Sequence, residues 1–187
     1  MTEDRRIRMA KIAICLAAKS MVADEDGRQY ESFTGQIKYG KTDARVENAT
    51  FVLENGEISW ETGTWLDGTW EKGVWKEGVW NDGTWLDGTW EKGVWKEGVW
   101  NDGTWKSGTW MLGIWLDGIW ENGVWNDGMW KFGEWSNGIW ENGVWNDGNW
   151  IGGEHKKGTW YGGKWRGGKW QGGKWLGEKQ RQSEDQE

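Results

Sequence analysis

The side chains that could do chemistry in this chain are few, and their placement argues against catalysis. There is one His, His155, and one Cys, Cys15. A nucleophilic site needs a nucleophile, a base and a group that orients the base, and this pair does not supply them. The acids recur inside a short repeat, so no two stand in the contrasting environments that split a general acid from a general base. The recurrent Asp-Gly pairs have the composition of calcium loops, but neither the twelve-residue spacing nor the nonapeptide pattern is present. No phosphate loop or zinc spacing occurs. The sequence therefore predicts a non-enzymatic protein with no cofactor and no metal site. One charged cluster stands out. In Tyr161-Gly-Gly-Lys-Trp-Arg-Gly-Gly-Lys-Trp-Gln-Gly-Gly-Lys-Trp175, the residues Lys164, Arg166, Lys169 and Lys174 form a basic collar. Its functional reading is a candidate surface for an anionic partner: an acidic protein, a phosphate backbone or an anionic sugar. Its structural reading is a charged end that stops repeat domains from stacking end to end.

These residues are carried by a pentad, Gly-x-Trp-x-x. From Gly63 to Gly173 a Gly falls at every fifth position, and Trp follows two residues later from Trp65 to Trp175, except where His155 stands. Trp60 extends the register upstream. His155 thus reads as a weakened repeat before it reads as a catalyst. A longer duplication is superimposed. Residues 64–83 recur letter for letter as 84–103, and 119–128 recur as 139–148, both at a spacing of twenty. This suggests four pentads per coil. The phase nevertheless slips, because Val-Trp-Asn-Asp-Gly begins at 79 and 99 and then at 124 and 144.

Within each pentad the residue before Trp is mostly Thr, Val or Ile, which favours extended backbone. The residues after Trp are polar and end on Gly, a turn signal that places Gly where positive φ is needed. Each pentad is therefore a very short strand and a corner. Alternation puts Gly and Trp on one face and Thr, Val or Ile on the other. Trp inward is the favoured arrangement, since the reverse would expose some twenty indoles to water. The buried indole N–H groups then need acceptors, for which corner carbonyls are available.

This pattern resembles the pentapeptide-repeat family, whose square β-solenoid turns a corner every five residues and stacks four pentads per coil. In that family a small residue two before a large apolar one faces inward with it, as Gly63 with Trp65 and Gly68 with Trp70 would here. The likeness spans residues 58–177, with Trp in place of Leu or Phe and Gly in place of Ala. The chain is also similar to the Trp-rich Gly-x-Trp-x-x repeat proteins of tailed bacteriophages. The resemblance implies an all-β solenoid, and it brings with it imitation of a nucleic-acid duplex as one of the expected roles, since some pentapeptide-repeat proteins inhibit DNA topoisomerases in that way.

Composition agrees with a folded chain of unusual content. There are 23 Trp, 32 Gly and no Pro in 187 residues. Each indole can bury about 150–250 Å², so Trp carries the hydrophobic load that Leu, Ile, Val and Phe carry elsewhere. Residues 56–150 hold 16 acids and six bases, whereas 151–180 hold seven bases and two acids. An acidic body with a basic end is not the footprint of a general nucleic-acid binder. No run is long enough to span a membrane. The short apolar run after Arg5, Arg6, Arg8 and Lys11 makes a poor signal peptide, which favours a cytoplasmic or virion-associated protein over a secreted one.

The expected organisation is a helical segment over 1–27 with its helix at 5–22, a β cap over 28–57, the solenoid over 58–177 and a polar tail over 178–187. The Asn55-Gly56 pair between β-prone runs predicts a hairpin. The leading functional expectation is a structural or binding repeat protein, a scaffold or adhesin-like module, whose partner is a protein or a polysaccharide. The alternatives are a carbohydrate binder with exposed Trp and an acidic mimic of nucleic acid that inhibits a DNA-binding enzyme.

Overall fold

The computed structural model describes residues 15–23, 29–39, 42–54 and 57–177. The chain is an all-β parallel solenoid of about eight coils, and no described residue is helical. Four longer strands come first: β1 (Cys15–Ala23), β2 (Gln29–Tyr39), β3 (Thr42–Glu54) and β4 (Glu57–Trp70). From β5 (Gly73–Trp75) onward the repeat sets the rhythm, with two-residue strands from β6 (Val79–Trp80) to β25 (Lys174–Trp175), one per pentad.

The coil has three sides. Val79 pairs with Val94, Thr84 with Val99 and Thr89 with Thr104, each fifteen residues on. Coils of four pentads, expected from the twenty-residue duplications and from the square family, are thereby corrected. The physical reason lies in the core. From Trp80 to Trp135 consecutive indoles meet edge to face, with centroids 6.0–6.1 Å apart and planes at 70–74°. Three such rings close a triangle and leave no hole, whereas a fourth side would leave a void in the middle.

Three columns of stacked rings run along the axis, beginning at Trp60, Trp65 and Trp70. Within a column, between Trp75 and Trp140, successive centroids are 4.7–4.9 Å apart and the planes are nearly parallel. That step is the spacing of hydrogen-bonded strands, yet it exceeds the thickness of an aromatic ring. Tilt removes the mismatch. Planes that meet at these angles around a three-fold axis have normals inclined by roughly 43°, and the step seen along the normal is then about 3.5 Å, van der Waals contact. Twenty of the indoles, Trp60 through Trp150 and Trp160, have no exposed surface. Trp is the core.

Gly is demanded by the stacking of one coil on the next. At Gly98 φ is +127°, and an added Cβ would lie 2.4 Å from the carbonyl oxygen of Gly83 in the coil beneath, with Trp95 Cζ2 at 3.2 Å. The room that Gly provides is thus first for the neighbouring backbone and only second for the indole.

The lower end is closed by β3, which runs antiparallel beneath the first coil, β4. Phe51 stacks under Trp60 at 6.1 Å, Val46 lies opposite Trp65, and irregularities in register let β3 follow the corners. Ala44, Val46, Ala49 and Phe51 are buried there, and Arg45 pairs with Asp67 across the seam. Glu54 faces Glu57 in the register expected of a hairpin, although residues 55 and 56 lie outside the described residues. The helix expected at 5–22 is corrected where it can be followed: Cys15–Ala23 is a strand, antiparallel to β2. A continuous apolar run such as residues 12–18 fits both periods, and pairing with β2 decides between them. The remainder of that expected helix, and the tail from 178, lie outside the described residues.

Candidate functional site

The outer surface is built from the three non-core positions of each pentad, and stacking puts like positions fifteen residues apart. Ion pairs follow that interval. Lys76 meets Glu61 at 2.9 Å, Lys92 meets Glu77 at 3.0 Å and Lys156 meets Glu141 at 2.9 Å. Asn142 Nδ2 donates to Asp127 Oδ2 at 3.0 Å. These pairs lie at the surface, exposed or half-buried, and such pairs are individually weak, worth about 0–1 kcal/mol. They nonetheless break the acidic body into partly neutralised columns.

The corner Asp residues are turn residues. The Gly83, Gly103 and Gly128 N–H groups each donate to Oδ1 of the preceding Asp at 2.6–2.7 Å. Among the described residues no group of three or more His, Cys, Asp or Glu is placed to hold a metal ion.

His155 occupies the Trp register and is fully buried. It stacks on Trp170 at 3.9 Å and lies 6.0 Å from Trp140. Burial pulls its pKa down to about 4, while the backbone of Gly172 and of His155 itself works in the other direction. Among the described residues neither ring nitrogen has a hydrogen-bond partner of normal geometry. It is a neutral ring in a column of rings. Among the described residues, the corner carbonyls expected to accept from the indole N–H groups do so in two places, Trp85 to Asp102 O at 3.2 Å and Trp145 to Gly162 O at 3.1 Å, while most core indoles, Trp90 and Trp95 among them, have no acceptor within hydrogen-bond geometry.

The basic residues singled out from sequence are Lys164, Arg166, Lys169 and Lys174, and all four are exposed. Lys164 begins β23 (Lys164–Trp165), Lys169 begins β24 (Lys169–Trp170) and Lys174 begins β25. One therefore stands on each side of the last coil. They form a ring around the end of the rod and do not converge on a single face. Lys169 Nζ lies 3.4 Å from Glu154 Oε1, a loose surface contact.

Sequence reasoning missed the rings inside this collar. Trp165, Trp170 and Trp175 are only partly buried, in contrast to the indoles below them. Their position as the last three members of the register was the available signal, since the end of a stack has no ring above it.

Comparison with protein-family models, with curated proteins and with solved structures found no match for this chain. No helix among the described residues is long and apolar enough to cross a membrane. The five-residue β-solenoid with Trp at every fifth position is consistent with a pentapeptide-repeat-like protein, although its coil has three sides.

Proposed function

We propose that the chain is a non-enzymatic rod that acts as a scaffold or binding module and contacts its partners through its surface and its basic end. The observation that carries this reading is the complete burial of twenty indoles. Rings packed as the core are not available as a sugar-stacking array, so the carbohydrate-binding alternative retains only the three rings of the last coil. Pairs such as Glu77 with Lys92 interrupt the acidic columns, which weakens the imitation of a nucleic-acid duplex. The likeness to Trp-rich repeat proteins of tailed bacteriophages makes a virion or surface assembly the setting we favour. Its basic end suits an acidic protein better than a neutral polysaccharide.

Tryptophan emission tests the reading. The expected spectrum is blue-shifted, and acrylamide should reach only a minor fraction of the emission. A spectrum largely quenched by acrylamide, and altered by oligosaccharides, would remove the buried-core scaffold in favour of the sugar binder.

A further inference from the structure

The two ends of the rod differ in a way that points to a ligand. At the lower end β3 covers the first coil, Phe51 lies flat beneath Trp60, and no ring of that coil is exposed. At the upper end Trp165, Trp170 and Trp175 stack downward on Trp150, His155 and Trp160 at 5.0, 3.9 and 5.1 Å. Among the described residues no ring lies above them, and they are partly exposed.

The last coil is paired to the one below it. The carbonyls of Gly158 and Trp160 accept from the N–H groups of Lys174 and Leu176, sixteen residues on, each at 2.8 Å. The sequence beyond does not continue the pattern. Glu178 and Ser183 hold the Gly register, Gln180 and Asp185 hold the Trp register, and residues 178–187 contain no apolar side chain that could cover an indole.

We propose that this open coil is a docking edge for an extended acidic strand of another protein, which crosses the end of the rod as β3 crosses the beginning. Its backbone runs along the upper edge of β23, β24 and β25, its apolar side chains lie on the partly exposed indoles of Trp165, Trp170 and Trp175, and its carboxylates meet Lys164, Lys169 and Lys174. The charge assignment follows the seam at the other end, where Arg45 of the covering strand pairs with Asp67 of the coil. Here the coil supplies the cations, so the strand must supply the acids. Alternation along a strand sends apolar and acidic side chains to opposite faces, which matches indoles inside and lysines outside. The corners at Gly162, Gly167 and Gly172 carry no side chain to obstruct the crossing. At Gly162 and Gly167 an added Cβ would lie 3.1 Å from a carbonyl of the coil below, in an ordinary backbone region, and every corner from Asp67 to Asp147 carries a side chain at the same place, most often Asp, Asn, Lys or Glu. The bare corner is therefore a feature of this end of the rod.

The proposal rests on reading the basic end as a contact end, and the experiment separates the two. The full chain is titrated calorimetrically with a peptide of alternating Glu and Val, long enough to cross two sides at about ten residues. Parallel titrations use an alternating Lys and Val peptide, a polyglutamate of equal length and inorganic phosphate. Only the Glu and Val peptide should bind well, and it should protect the accessible indoles from acrylamide. The variant Lys164→Glu/Lys169→Glu/Lys174→Glu, whose changes are all at exposed positions, should weaken that binding at least about tenfold while its circular dichroism stays unchanged. Equal binding of polyglutamate or phosphate, with no change in quenching, overturns the strand and leaves a plain anionic contact. Binding that ignores the lysine changes places the peptide elsewhere and also overturns it. If none of the four probes binds, the contact-end reading falls with it.

Discussion

His155 lies 3.9 Å from Trp170 and 6.0 Å from Trp140, ring centroid to ring centroid, so the even step of its column is broken there. The rings on either side of it, Trp150 and Trp160, lie 6.3 Å apart. His155→Trp should complete the column and stabilise the rod by about 1–2 kcal/mol, from added apolar burial and stacking. A shift of the urea midpoint to higher concentration at unchanged slope is the expected result. A shift to lower urea would show that the pocket has already collapsed around the imidazole.

The same residue should make stability depend on pH. Burial holds its folded pKa at about 4, below the ordinary imidazole value of 6.5. The unfolded chain therefore takes up a proton that the folded chain refuses. The stabilisation is fully present above pH 6.5 and is lost as pH falls toward 4, amounting to about 2 kcal/mol by pH 5. Urea unfolding of wild type and His155→Trp at pH 7.5 and pH 5 isolates this contribution, because the chain has no other His. Equal losses in the two proteins would assign the effect to carboxylates.

Gly98→Ala tests the stacking of coils. Positive φ and the 2.4 Å approach to Gly83 O act together, and the expected cost is about 2–4 kcal/mol. Thermal unfolding followed by circular dichroism measures it. A loss below half a kcal/mol would mean that the coils part easily.

Position along the rod should grade the cost of losing a ring. Trp105→Ala removes a fully buried indole held between Trp90 and Trp120 and should cost about 3–5 kcal/mol. Trp165→Ala removes a partly exposed ring with one stacked neighbour, Trp150, and should cost less than half as much. Denaturant titrations of the two variants supply the comparison, and equal losses would contradict an open upper end.

The pair Glu77 and Lys92 gives a test of the three-sided coil by electrostatics alone. Glu77→Lys and Lys92→Glu should each cost a few tenths of a kcal/mol, and the double exchange should recover most of it. A double-mutant cycle at low salt reads the coupling. No coupling between these positions would be at odds with fifteen residues per coil.

The inward Trp, the outward Thr or Val and the polar corner could all be read from the pentad, because alternation and solubility allow one sensible arrangement. Coil length was harder, although its signal was present. The copies of Val-Trp-Asn-Asp-Gly at 79 and 124, and at 99 and 144, are separated by forty-five residues, which is three coils of fifteen. The exact duplications at twenty were more conspicuous. They also place Glu91-Lys92 fifteen residues after Lys76-Glu77, so opposite charges stack, whereas a twenty-residue coil would stack like on like. Cys15–Ala23 could not be assigned from periodicity, since its run of apolar residues suits a helix and a strand alike. The collar lysines were found by composition. That they encircle the rod depends on the number of sides, which only the register reveals.

All three columns share one geometry, so any pentad can occupy any side. Tandem duplication or loss of a single pentad therefore lengthens or shortens the molecule by about 1.6 Å, a third of the strand spacing, and turns everything above it by one side. The rod is a ruler graduated in fives. Because Lys164, Lys169 and Lys174 stand on all three sides, such a turn leaves the face offered at the tip unchanged. Reach can be altered by recombination while the business end keeps its shape.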